Sequence, residues 1–274
     1  WDRAALGVAY VTYPIIEDGA ARVTAFLDGR VDWADDPPNN QLSILAANPG
    51  FKSGPQLGTY YFRLNVTDPT LSDVRVRRAL SLALNRRELC RCTLDDLYLV
   101  STGFTPSMPG YDALDRVAYD PEQARRLLAE AGFPEGRGFP RLEILYNTSE
   151  NHRVIAQFVQ DQWRTELGID VALLNQEWKV YLSTMEALQY QVARSGWIGD
   201  YVDPNTFLEL WRTGDENNRT GWGDPRFDAL VSASLRERDT TRRFALLREA
   251  EEILLDQVPT IPIYTYSQFH LVDP

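Results

Sequence analysis

The sequence predicts an α/β fold on three observations. Leu142, Ile144 and Tyr146 alternate as a strand, Val154, Ile155, Phe158, Val159 and Trp163 form one helical stripe, and Ile169, Val171 and Leu173 alternate again. Strand, helix, strand in that order is a βαβ unit, which usually places its strands in parallel. Asp120-Pro121, Asp224-Pro225 and Asp239 each stand where a helix would begin, as caps with proline at the first helical position in two of them. A β-branched and aromatic run at 58–65 adds a strand outside the βαβ unit.

In chain order, Val8 to Tyr13 reads as a strand and Gly19 to Leu27 as a short helix, before a polar turn from Asp35 to Asn40. Ser72 is placed to cap a helix in which Val76, Ala79, Leu80, Ala83 and Leu84 recur at helical spacing to about Leu94. The next helix has Asp120 as cap, Gln123 completing a capping box, and Gly132 as its stop. Gly168 ends the stripe that begins near Val154. A helix is expected at 177–188, a strand at 190–195, and two final helices whose stripe holds Phe244, Leu247, Ala250, Ile253 and Leu254. Thr260 to Tyr266 closes as a strand.

Composition narrows the function. The 274 residues carry 39 acidic and 28 basic side chains, a net charge of −11, and all the basic residues but Lys52 and Lys179 are arginine. An acidic chain without clustered cations argues against nucleic acid or anionic lipid as the main partner. No apolar run is long enough for a membrane-spanning helix. Cys90 and Cys92, two apart on a helix, point to different faces, and His152 and His270 are the only histidines, so no metal centre is implied. There is no nucleophile elbow or phosphate-binding loop. Asp35-Asp36 and Glu249-Glu251-Glu252 read as solvated faces.

Two candidates for chemistry remain. Asp200 and Asp203 could act as a general acid and base, although an aspartate before Pro204 more simply caps a helix over 205–211. The stretch Arg194-Ser195-Gly196-Trp197-Ile198-Gly199-Asp200-Tyr201 ends a strand in two glycines around a tryptophan. Small residues let a ligand backbone approach, Trp197 offers an apolar wall, and Asp200 suits an ammonium group. A structural turn with a core tryptophan fits the same residues.

At these positions the chain resembles the peptide-binding receptors of ABC importers, extracellular solute-binding protein family 5. Ser72 to Leu80 with Asn85-Arg86 is similar to that family's D-x-R-V-R-x-A-L … D-R helix. Tyr119 to Ala124 with Leu127 to Gly132 resembles its Y-D-P-E-x-A … L-L-x-E-A-G helix. Leu145 to Ser149, Asn175 to Trp178, Arg194 to Tyr201, Asp203-Pro204 and Phe207-Leu208 resemble the oligopeptide branch.

The resemblance implies an α/β, type II periplasmic-binding-protein-like lobe with a mixed sheet flanked by helices: 1–57 a remnant of lobe I, 58–262 the second ligand-binding lobe, and 263–274 the start of the return to lobe I. On this reading the chain is a piece of a longer, exported protein, a periplasmic or cell-surface lipoprotein. It would be monomeric when intact, use no cofactor, and deliver peptide to permease subunits. The resemblance also implies site residues. Asp200 would pair with the peptide α-ammonium, and Trp197 and Trp178 would wall side-chain pockets. Gly196 and Ile198 would offer main-chain groups, Arg194 and His152 would meet the C-terminal carboxylate, and Tyr266 would face the cleft. Met185 stands where the oligopeptide branch can carry arginine, and no lysine lies in 90–100. Two alternatives follow: a receptor for another solute (sugar, opine, metal chelate or murein peptide), and a carboxylate hydrolase using Asp200 and Asp203.

Overall fold

The computed structural model describes residues 7–94 and 97–273. The chain divides into two compact units, one of residues 1–54 with 268–274 and one of residues 55–267.

The smaller unit holds helices α1 (Gly19–Leu27) and α2 (Asn39–Leu45) and strand β1 (Trp33–Asp35), which pairs antiparallel with residues 270–272. Val23, Ala34, Leu45 and Leu271 form its small core. The strand expected over Val8 to Tyr13 is absent: these residues have no ladder partner, and Val8, Tyr10, Val11 and Tyr13 are exposed. A β-prone composition alone does not make a strand without a neighbour to bond.

The larger unit is built on a mixed sheet. Its strands are β2 (Phe51–Leu64), β3 (Leu99–Val100), β4 (Leu142–Asn147), β5 (Val171–Gln176), β6 (Val192–Ile198) and β7 (Thr260–Val272), of which β2 and β7 continue into the smaller unit. The order is β7-β2-β6-β4-β5, with β3 on β7. β4 runs parallel to β5 and β6, and β6 antiparallel to β2.

The βαβ unit forms as expected. Helix α6 (Glu150–Leu167) links β4 to β5 and buries Ile155, Val159 and Trp163. It ends at Gly168, whose φ of 69° is the left-handed conformation glycine adopts most readily. Helix α5 (Pro121–Glu130) begins at Asp120, whose carboxylate accepts from Gln123 N. Helices α7 (Trp178–Glu186), α8 (Asn205–Leu208), α9 (Pro225–Ser234) and α10 (Thr240–Gln257) complete the unit.

The helix expected from Ser72 to Leu94 is two helices, α3 (Val74–Leu82) and α4 (Arg86–Thr93). The cap is Asp73, not Ser72: Asp73 accepts from Arg75 N at 2.8 Å, while Ser72 turns its hydroxyl to Pro69 O. Asn85 caps α4 by accepting from Glu88 N.

Two arginines of this segment explain why it holds its shape. Arg77 donates to Leu71 O and Ser72 O at 2.8 Å, to Gln257 O at 2.6 Å and to Val258 O at 3.2 Å, so it caps the carbonyl end of α10. Burial lowers its pKa to about 10. Arg86 reaches Pro262 O at 2.6 Å, Ser81 O and Leu84 O at 3.1 Å, and Ser81 Oγ at 2.9 Å.

Glu251 departs from its expected solvated face. It is fully buried, and it accepts from Phe104 N at 2.8 Å, Thr105 N at 2.9 Å and the Tyr111 hydroxyl at 2.6 Å. Burial raises its pKa, opposed by those donors. It sits between Leu247 and Leu254 on the apolar stripe, which was the available signal. Cys90 is buried and Cys92 exposed, as their spacing requires.

Candidate ligand-binding site

The register of β6 against β2 fixes which main-chain groups are available. Asn65 N donates to Gln191 O and Gly199 N donates to Leu57 O, bracketing a ladder in which Tyr60 faces Gly196 and Gly58 faces Ile198. Hydrogen-bonded pairs alternate in an antiparallel ladder. Ala193, Ser195 and Trp197 therefore bond to β2, while Val192, Arg194, Gly196 and Ile198 direct their N–H and C=O groups to the other edge. There β4 covers β6 only at Val192 and Ala193. The Tyr181 hydroxyl donates to Arg194 O. Beyond that point, Gly196 and Ile198 present a bare edge among the described residues.

Arg194 lies at the covered end of this edge. It donates to Asn147 Oδ1 at 3.2 Å and to the Tyr266 hydroxyl at 3.1 Å, and its guanidinium lies 4.8 Å from the centre of the Tyr60 ring. It forms no ion pair among the described residues, and its buried Nε has no hydrogen-bond partner. His152, from the first turn of α6, approaches the Tyr60 hydroxyl at 3.4 Å through Nδ1. Burial, reinforced by the Arg194 charge, pushes its pKa down to about 3, so it is neutral at pH 7. Arg194 is thus the cation of this cluster, and His152 adds hydrogen-bonding capacity without charge. Tyr266 faces Gly196 closely enough that a Cβ at Gly196 would collide with its hydroxyl. Gly196 is therefore small for Tyr266 as well as for any ligand backbone.

At the far end, Asp200 is exposed and forms no ion pair among the described residues. Its N–H donates to Thr206 Oγ1 at 3.3 Å, which also accepts from Trp197 Nε1 at 3.4 Å. The other two acids of this turn are occupied. Asp203 takes Arg243 through both oxygens, at 2.5 and 2.7 Å, and caps Asn205 N at 2.9 Å. Glu209 accepts from Tyr201 at 2.7 Å and Asn205 at 2.8 Å. Asp203 accordingly serves as cap and ion-pair partner.

Trp178, at the start of α7, is half exposed and stacks on buried Tyr181 with ring centres 5.6 Å apart. Met185 is buried with Leu145, Tyr181, Tyr190 and Ala193, so it belongs to the core. No pattern in the sequence singles out Tyr60, Asn147 or Thr206. Tyr60 lies in a run buried on both faces, where no alternation marks one side, and Asn147 was noted only within a family-like segment.

The sheet and its helices are those of type II periplasmic binding proteins. A solved oligopeptide-binding protein from Borrelia burgdorferi superposes with a TM-score of 0.85 at 33% identity, over 94% of this chain and 52% of that one. A family model described as bacterial extracellular solute-binding proteins, family 5 Middle, matches residues 1–219. The chain belongs to that family. It is 32% identical to the oligopeptide-binding protein OppA of Bacillus subtilis over all of this chain and 52% of that protein. It is 34% identical to the periplasmic murein peptide-binding protein MppA of Escherichia coli, again over all of this chain and 52% of that protein. The chain spans about half the length of these relatives. Among the described residues, no helix is long and apolar enough to cross a membrane.

Proposed function

We propose that this chain supplies a ligand-binding lobe, residues 58–262, of a peptide receptor serving an ABC importer, with 1–57 and 263–274 belonging to the other lobe. The observation that carries this reading is the bare β6 edge at Gly196 and Ile198, set between an acid without an ion-pair partner, Asp200, and a cation without one, Arg194. An extended peptide has complementary groups: an ammonium, a row of amides and a carboxylate. Strand addition to such an edge draws affinity from the main chain, which every peptide shares. Trp178 and Trp197 then wall the spaces that receive side chains.

The receptor acts outside the cytoplasmic membrane, in the periplasm or as a cell-surface lipoprotein, binds without chemical turnover, and hands peptide to permease subunits. The single carboxylate of Asp203, already taken by Arg243 and Asn205 N, supports binding over hydrolysis. A murein peptide remains compatible with the same edge, since the relatives include a murein peptide-binding protein.

Calorimetry on the intact receptor with one tripeptide, free and N-acetylated, tests the reading. The acetylated form is expected to bind at least tenfold more weakly, a loss of about 1.4 kcal/mol or more. Equal affinities would exclude ammonium recognition.

A further inference from the structure

Asp200 sits on a turn that is clamped from behind, and one clamp reaches the anchor itself. Arg243 of α10 holds Asp203, and Glu209 holds Tyr201 and Asn205. Thr206 lies between them on α8, fully buried, with one hydroxyl oxygen accepting from both Asp200 N and Trp197 Nε1. We propose that Thr206 is a positioning residue for recognition of the ligand's ammonium group: its hydroxyl ties the anchor's main chain and the neighbouring indole to a single atom. This rests on the reading of Asp200 as the ammonium anchor.

The physical case is preorganisation. The Asp200 side chain is solvent-exposed, so a carboxylate on a loose turn would have to be ordered at the moment of binding. Thr206 fixes the peptide plane that enters Asp200, and with it the N–Cα bond from which the carboxylate side chain departs. Through Trp197 it also fixes the wall beside the ammonium. Its surroundings are packed: Phe207 and Leu208 are fully buried and Leu57 lies against Gly199, so the threonine itself has little freedom to move.

The test uses the intact receptor and three substitutions of Thr206, with Asp200→Asn as reference, and compares a free tripeptide with its N-acetylated form. Thr206→Val keeps the shape and removes the hydroxyl, and is expected to weaken free-peptide binding about fivefold, the worth of roughly one net hydrogen bond, while weakening the acetylated peptide, which still uses the Trp197 wall, distinctly less. Thr206→Ala, which cannot overpack, is expected to do the same if the valine variant folds poorly. Thr206→Ser restores the hydroxyl and is expected to restore affinity. An equal loss for both peptides, or no loss for either, would reduce Thr206 to a packing residue while Asp200→Asn still separated the two ligands. Failure of Asp200→Asn to separate them would overturn both the anchor and its positioning residue.

Discussion

Asp200→Asn in the intact receptor is expected to weaken binding of a free peptide by at least tenfold. The substitution keeps the size but removes the charge and turns one acceptor oxygen into a donor NH2, so the loss reports the charged acceptor that an ammonium requires. Truncating one partner of an enclosed, hydrogen-bonded charge pair costs about 2–5 kcal/mol, largely because the other charge is left unpaired. The neighbouring acids cannot compensate. Asp203 is committed to Arg243 and Asn205 N, and Glu209 to Tyr201 and Asn205. Unchanged affinity by calorimetry would remove Asp200 as the anchor, whatever else binds the ligand.

The second large effect concerns stability. Arg86→Leu is expected to destabilise the fold by about 3–5 kcal/mol, because several carbonyl oxygens lose their donor at about 1–3 kcal/mol each, partly offset by relaxation. Arg86 is almost completely buried, and burial lowers its pKa to about 9, still well above neutral. It therefore carries its charge at pH 7 and joins the end of α3, the start of α4 and β7 through one guanidinium. Lysine has three donors on a single nitrogen and cannot span these acceptors, so Arg86→Lys should recover only part of the loss. Urea titration of the wild type and both variants measures the effect. A loss below about 1 kcal/mol for Arg86→Leu would show that water or rearranged backbone satisfies the carbonyls.

The parts of the fold that were legible in the sequence are those set by local chemistry. Asp120 and Pro121 start a helix and Gly168 stops one because caps, fixed φ angles and left-handed glycines act over a few residues. Stripes such as Val159 and Trp163 work the same way. What failed depended on neighbours far along the chain. Val8 to Tyr13 has strand-forming residues but no partner strand, and the break between α3 and α4 is stabilised by Arg86 reaching Pro262 O.

The site shows the same division. Trp197 and Asp200 drew attention through their local context of glycine, aromatic and acid. The uncovered edge at Gly196 and Ile198 follows from pairing register, which only the folded sheet defines. Tyr60 and Asn147 join Arg194 from β2 and β4, at separations no local pattern encodes. Glu251 shows the opposite error. Its position on the apolar stripe pointed inward, but its charge suggested solvent.

Amide hydrogen exchange in the intact receptor, with and without bound peptide, tests the central claim most directly. Ser195 and Trp197 already bond to β2, so their amides should be protected in both states. The amides of Gly196 and Ile198 should exchange readily without ligand and become protected when peptide adds to the β6 edge. Protection of Gly196 and Ile198 that does not change on saturation with peptide would contradict strand addition at this edge.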